Sequence, residues 1–139
     1  MSLSIRNQIA GTVTAVTAGE AMATVKVRLE GGQDITAAIT LDAVKDLGLA
    51  AGSSVKALVK ATEVALATGL VEGLSIRNQI AGTVVDIAAG PAMASVKVDV
   101  NGGGLTAAIT ADAVEALGLA AGSSVVALIK STEVSLQAA

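Results

Sequence analysis

Residues 23–40 read ATVKVRLEGGQDITAAIT, and residues 94–110 read ASVKVDVNGGGLTAAIT. In the first stretch Ala23, Val25, Val27 and Leu29 alternate with Thr24, Lys26, Arg28 and Glu30. A period of two sends successive side chains to opposite faces, which is the pattern of a half-buried strand. Gly31–Gly32 supplies turn residues, and Ile35, Ala37 and Ile39 resume the alternation in a returning strand. The second stretch sets Ala94, Val96, Val98 and Val100 against Ser95, Lys97, Asp99 and Asn101, then turns at Gly102–Gly104. An antiparallel hairpin is written twice.

The pattern then changes to a helix. Thr40 is placed to cap it, Asp42 favours its first turn, and Leu41, Val44 and Leu47 fall on one face. Gly48 suits the residue just past the end. Thr110, Asp112, Val114, Leu117 and Gly118 repeat the arrangement. After a turn at Ala51–Ser53, residues 54–60 alternate again, with Val55, Ala57 and Val59 against Ser54, Lys56 and Lys60. A last short strand is expected at about Thr62–Leu66.

The duplication spans the chain. Residues 3–66 match 74–136, and roughly 45 of about 63 paired positions are identical. One residue is lost in the second copy near Gln33–Asp34. The division expected is a first domain over 1–68, a linker over 69–73 and a second domain over 74–139. Four or five strands and one short helix per unit predict an all-β chain of two OB-like antiparallel barrels, with a β-sandwich as the alternative. Units of about 65 residues are small for a core. With no Phe, Tyr or Trp, each core must rest on Ala, Val, Leu and Ile. The units are therefore expected to pack together and the chain to oligomerise.

Composition excludes several functions. The 139 residues contain no Cys and no His, so thiolate and imidazole metal sites and His-based triads are absent, and no metal is expected. Missing aromatics remove the stacking platform for single-stranded nucleic acid, and a net charge of −3 opposes phosphate-backbone binding. Residues 1–70 balance six bases against six acids, whereas residues 71–139 carry three against six. No stretch has the run of about 20 apolar residues that a membrane span needs, and a cytoplasmic location without membrane partners is the expectation. No nucleophile–base pair can be assembled, so the chain is not read as an enzyme.

Two motifs remain. LSIRNQIAGTV occupies residues 3–13 and returns unchanged at 74–84. Lys60-Ala61-Thr62 returns as Lys130-Ser131-Thr132. Ser, Arg, Asn, Lys and Thr all offer hydrogen-bond donors, and a tetrahedral dianion has only acceptors. Taken singly, either motif also reads as a strand entry with solvated charges. Elsewhere, however, the copies have diverged: Arg28 became Asp99, Glu30 Asn101, Lys45 Glu115 and Lys56 Val126. Of the basic residues in the first unit only Arg6, Lys26 and Lys60 persist, and two of these lie in the motifs.

The ordered set Ser-x-Arg-Asn-Gln-x-x-Gly-Thr-Val, a glycine turn with an alternating strand, T-A-A-I-T, L-G-L-x-x-G and Lys-Ala-Thr-Glu-Val resembles the molbindins. These are small cytoplasmic molybdate-binding proteins built from Mop (TOBE-type) domains, here in the tandem form. The resemblance implies OB-like barrels, a homotrimer, and storage of molybdate or tungstate with no cofactor. It also leaves room for a sensing module that acts on a partner protein. It implies sites where Ser4, Arg6 and Asn7 meet a Lys-containing turn such as Lys130, Ser131 and Thr132, and where Ser75, Arg77 and Asn78 meet Lys60, Ala61 and Thr62. The chain departs from the family pattern at Ile5 and Ile76, where Ala is usual, and at Thr62 and Thr132, where Ser is frequent. A second class of site in the family uses a Gly-Ala-Val-Asn-Ala turn. That turn corresponds to Gly19, Ala21 and Met22 and to Gly90, Ala92 and Met93, with Met replacing the Asn donor.

Overall fold

The computed structural model describes residues 3–139. The first repeat forms β1 (Asn7–Ala18), β2 (Met22–Leu29), β3 (Asp34–Thr40), helix α1 (Leu41–Leu47), β4 (Ser54–Val59), a 3₁₀ turn (Ala61–Glu63) and β5 (Ala65–Ala67). The second forms β6 (Asn78–Ala89), β7 (Met93–Asp99), β8 (Gly104–Thr110), α2 (Ala111–Leu117), β9 (Ser124–Ile129), a 3₁₀ turn (Ser131–Glu133) and β10 (Ser135–Ala138). The alternation read in residues 23–29 is real: Ala23, Val25, Val27 and Leu29 are buried and the residues between them are exposed. The helices begin and end as their caps dictate. Thr40 and Thr110 accept from the amides of Ala43 and Ala113, and Gly48 and Gly118 adopt the left-handed conformation at the far end.

Two expectations need correction. Lys60 and Thr62 are not in strands: β4 stops at Val59, Lys60 leads the 3₁₀ turn, and strand structure resumes only at Ala65. Within α1, Val44 is buried but Leu47 is exposed, because a helix of two turns lays little more than one side chain on the barrel.

The repeat in sequence and the sheet in space are different units. One five-stranded sheet has the order β10-β4-β1-β2-β3 and the other β5-β9-β6-β7-β8. The last strand of each repeat thus completes the sheet of the other, and the chain crosses between sheets at the 3₁₀ turns. β10 approaches β3, and β5 approaches β8, so each sheet curls toward closure. Bulges at the same point of β1 and β6, at Thr14 and Val85, help the long strand bend. Gly11 and Gly82 precede the bulges, and each lies where a Cβ would come within 2.8 Å of a backbone oxygen on the neighbouring strand. Part of the repeated LSIRNQIAGTV segment is therefore scaffold. With strands exchanged, Val27, Val59 and Val64 join Val98, Ile129 and Val134 in one continuous apolar core. The two small cores expected from the sequence are one shared core, which eases the shortage of aromatic side chains.

Candidate functional site

The strand pairing decides what can meet. β1 runs antiparallel to β4 with Asn7 opposite Val59, so the residues before Asn7 lie beside those after Val59. Ser4, Ile5, Arg6, Lys60, Ala61 and Thr62 consequently line one cavity of about 250 Å³. No carboxylate lines it, and Arg6, Lys60 and Thr62 are exposed. The hydrogen bonds of the 3₁₀ turn are donated by the amides of Glu63 and Val64, so the amides of Ala61 and Thr62 lie ahead of them at its start. Within the chain, then, the Ser-x-Arg stretch adjoins the Lys turn of its own repeat and not Lys130, Ser131 and Thr132.

In the second repeat Asn78 pairs with Ile129, and Ser131 and Thr132 follow in the equivalent turn. A cavity of about 190 Å³ holds Lys130 together with Ile76, Glu63 and Glu133. Ser75 and Arg77 are exposed at the entry to β6, and Thr132 is exposed in its turn.

Asn7 and Asn78 have a use that the sequence did not disclose. They are 2 % and 4 % exposed, the only buried polar side chains among the described residues. Asn7 Nδ2 donates to the Thr106 carbonyl at 2.8 Å, and Asn7 Oδ1 accepts the Thr106 amide at 2.7 Å. Asn78 does the same with Thr36, at 2.8 Å in both directions. Each carboxamide mimics a peptide group and staples the start of one repeat's long strand to the return strand of the other. Asn78 Nδ2 also lies 3.5 Å from Ser131 Oγ, which ties the staple to the 3₁₀ turn at Ser131–Glu133. Thr36, Thr106 and Gln33 belong to this seam. Period-two patterning could not reveal them, because a polar residue bonded across the seam reads as a solvent-facing one.

The glycine turns hold Gly19, Ala21 and Met22 at the β1–β2 tip and Gly90, Ala92 and Met93 at the β6–β7 tip. The Gly19 and Gly90 amides donate to the Met22 and Met93 carbonyls, each at 2.8 Å, and the Ala21 and Ala92 carbonyls accept from Leu41 and Ala111. The first pair of bonds closes each turn, and the second ties it to the start of α1 or α2. The methionines are about half exposed, at 47 % and 50 %.

A third cavity, of about 460 Å³, lies on the seam between Arg6 and Asn7 on one side and Lys97, Asp99, Gly103 and Thr106 on the other. Arg6 is therefore on the wall between two cavities.

No group of acidic residues able to hold a metal ion occurs among the described residues. No described helix is long and apolar enough to cross a membrane.

Known proteins match this arrangement. A TOBE domain model matches residues 3–66 and again 74–136. The molybdenum-pterin-binding protein MopB of Rhodobacter capsulatus is 44% identical over 135 residues, covering 96% of this chain and 50% of that protein. The molybdenum transport protein ModE of Azotobacter vinelandii is 41% identical over 137 residues, covering 98% of this chain and 51% of the other. The chain spans about half the length of these curated relatives. A crystal structure of the cytoplasmic molybdate-binding protein ModG, with molybdate bound, superimposes over the whole of both chains at a TM-score of 0.94 and 40% identity.

Proposed function

The chain belongs to the TOBE domain family, in two copies, and on that premise we propose that it binds molybdate, with tungstate as a second oxyanion of the same shape and charge. The observation that carries this reading is the carboxylate-free cavity where Ser4, Arg6, Lys60 and Thr62 converge. A tetrahedral dianion is satisfied by donors alone, and hydrogen bonds to a charged group are each worth about 1.5–3 kcal/mol. A handful of them holds the anion without a metal. Ser75, Arg77, Lys130, Ser131 and Thr132 supply the second set. The amides of Ala61 and Ser131 add backbone donors, while Asn7 and Asn78 fix the strand ends on which both sets stand. The turns at Gly19, Ala21 and Met22 and at Gly90, Ala92 and Met93 are the weaker candidates, since the Gly19 and Gly90 amides are already bonded to Met22 and Met93 and Met stands where an Asn donor would be.

The role is storage without catalysis, in the cytoplasm and as a homotrimer whose chains close over the exposed donors. Support comes from the likeness to ModG across its whole length. Equilibrium dialysis against molybdate, sulfate and phosphate tests the reading. At least one molybdate per chain at micromolar ligand is expected, and less than that overturns it. A second reading, a sensing module acting on a partner protein, is favoured by one fact: ModE carries a matching region as only half of its length. A stoichiometric protein partner recovered only in the presence of molybdate would select it.

A further inference from the structure

The two hairpins meet the seam between the repeats differently. On the first, Arg28 pairs with Asp34, Gln33 reaches the Ala81 backbone, and the Thr14 hydroxyl donates to the Lys26 carbonyl. On the second, the same four places hold Asp99, Gly104, Gly103 and Val85. Side chains present beside the first hairpin are missing from the second, and the cavity of about 460 Å³ opens there. Its wall combines two chemistries. Val85 is 55 % exposed, an apolar surface where the first repeat has a bonded hydroxyl. Arg6 and Lys97 line the same cavity, both are exposed, and neither is in an ion pair among the described residues. Asp99 is the one carboxylate on the wall, and its Oδ1 already accepts the Asn101 amide at 3.2 Å. Two cations therefore stand against one acid, beside an uncovered apolar side chain.

We propose that this seam cavity is a second ligand site, separate from the oxyanion cavity, and that it takes a small organic monoanion with an apolar body. The acidic group is held by Arg6 and Lys97, and the body covers Val85. The volume is within the range of about 300–1,000 Å³ usual for small-ligand pockets. A tetrahedral oxyanion has no apolar part to set against Val85, so the two cavities select different guests although Arg6 lines both.

Anilinonaphthalene sulfonate, one sulfonate on an aromatic body, is the probe, titrated into the full chain and read by its fluorescence on apolar surface. The chain has no Phe, Tyr or Trp, so the signal carries no protein emission. One saturable site per chain is expected. Lys97→Ala is expected to weaken it about tenfold, the worth of one charged contact. Gly103→Gln combined with Gly104→Asp rebuilds the first hairpin's side chains on the second and is expected to abolish it. Neither glycine is left-handed, and a Cβ would meet nothing within 4 Å at Gly104 and only Ile9, at 4.0 Å, at Gly103. Molybdate uptake by this double variant is expected to match that of the unaltered chain, because Ser4, Lys60 and Thr62 are untouched. No probe binding in the unaltered chain, or binding that survives in both variants, overturns the proposal and leaves the molybdate reading standing. Joint loss of probe and molybdate in the double variant overturns it too, since the two cavities would then be one site. Probe binding as expected with no molybdate uptake by the unaltered chain overturns the molybdate reading alone.

Discussion

The two central hairpins come from nearly the same sequence and end differently. In the first, the Leu29 amide donates to the Gln33 carbonyl across Glu30, Gly31 and Gly32, with Gly32 at φ 91° and its amide donating to the Leu29 carbonyl. This is a three-residue loop closed by a left-handed glycine. In the second, the Val100 amide bonds directly to the Gly103 carbonyl, and only Asn101 and Gly102 turn the chain, at φ 64° and 78°. Two consecutive positive φ values are what a type I′ turn demands, and Asn-Gly is its favoured pair. The strands beyond are unaffected, for Val27 pairs with Ile35 as Val98 pairs with Leu105. Loss of one residue was absorbed by a change of loop type, not by a slip that would have turned the core face outward.

The surfaces around the tips did change. Gln33 reaches across to the other repeat, where its Nε2 donates to the Ala81 carbonyl at 3.1 Å and its Oε1 accepts the Ala81 amide at 3.2 Å. Arg28 and Asp34 pair on the same hairpin, and the hydrogen bond and charge of Asp34 raise the guanidinium pKa above its ordinary value. The second hairpin has Asp99, Gly103 and Gly104 in the corresponding places and can make neither contact. The seam cavity beside Arg6 and Lys97 opens on that side. Duplicated sequence thus gave a duplicated core but an unequal rim.

What the hairpins keep in common is expected to matter most. Asn7 holds β8 and Asn78 holds β3, so truncation of either leaves a half-buried backbone amide and carbonyl without partners. Asn78→Ala is expected to cost about 3 kcal/mol, from two lost hydrogen bonds and the desolvated groups left behind. Because the exchanged strands share one core, the loss is expected to shift a single unfolding transition, read by urea denaturation followed by circular dichroism. Two separate transitions would show that the repeats unfold independently, and the comparison would then be between two domains and not two faces of one.

Next in size is the contact between the tips themselves. A Cβ on Gly31 would lie 1.8 Å from the Asn101 carbonyl oxygen, so one hairpin must move if the other gains a methyl. Gly31→Ala is expected to cost about 2 kcal/mol by overpacking. Gly104, where a Cβ meets nothing within 4 Å, is the control, and Gly104→Ala should leave the urea midpoint nearly unchanged. Equal midpoints for the two variants would mean that the tips are not in contact.

Much of this was legible in the sequence, and the limit was symmetry. Alternation placed β2, β3, β7 and β8, and Thr40, Gly48, Thr110 and Gly118 fixed the helix ends, because those signals are local. Strand exchange is not local. Residues 65–67 and 135–138 would carry the same apolar pattern whichever copy of β4 or β9 they joined. Nearly identical repeats make pairing within and between them equivalent in register. The proposed donor positions stood out because Arg6 and Lys60 persist in the second copy as Arg77 and Lys130, whereas Arg28, Lys45 and Lys56 do not. The role of Asn7 and Asn78 as staples was hidden for the opposite reason: a ligand donor and a buried seam residue look alike when both are polar and both are retained.

The smallest effect gives the most direct test of the unequal rim. Gln33→Ala removes the stitch and makes the first hairpin resemble the second, where Gly103 offers no side chain and a Cβ built on it would lie 4.0 Å from Ile9. Gln33 is half-buried, and water can replace part of what it supplies, so about 1 kcal/mol is expected. A change so small is better read at one atom than in global stability. The Ala81 amide, whose partner is Gln33 Oε1, is expected to exchange its hydrogen more slowly than the Ala10 amide in the unaltered protein. In Gln33→Ala the two amides should exchange at similar rates, with the rest of the sheet unmoved. If Ala81 is no better protected than Ala10 to begin with, Gln33 does not bridge the repeats in solution. The difference between the rims would then rest on the loops alone.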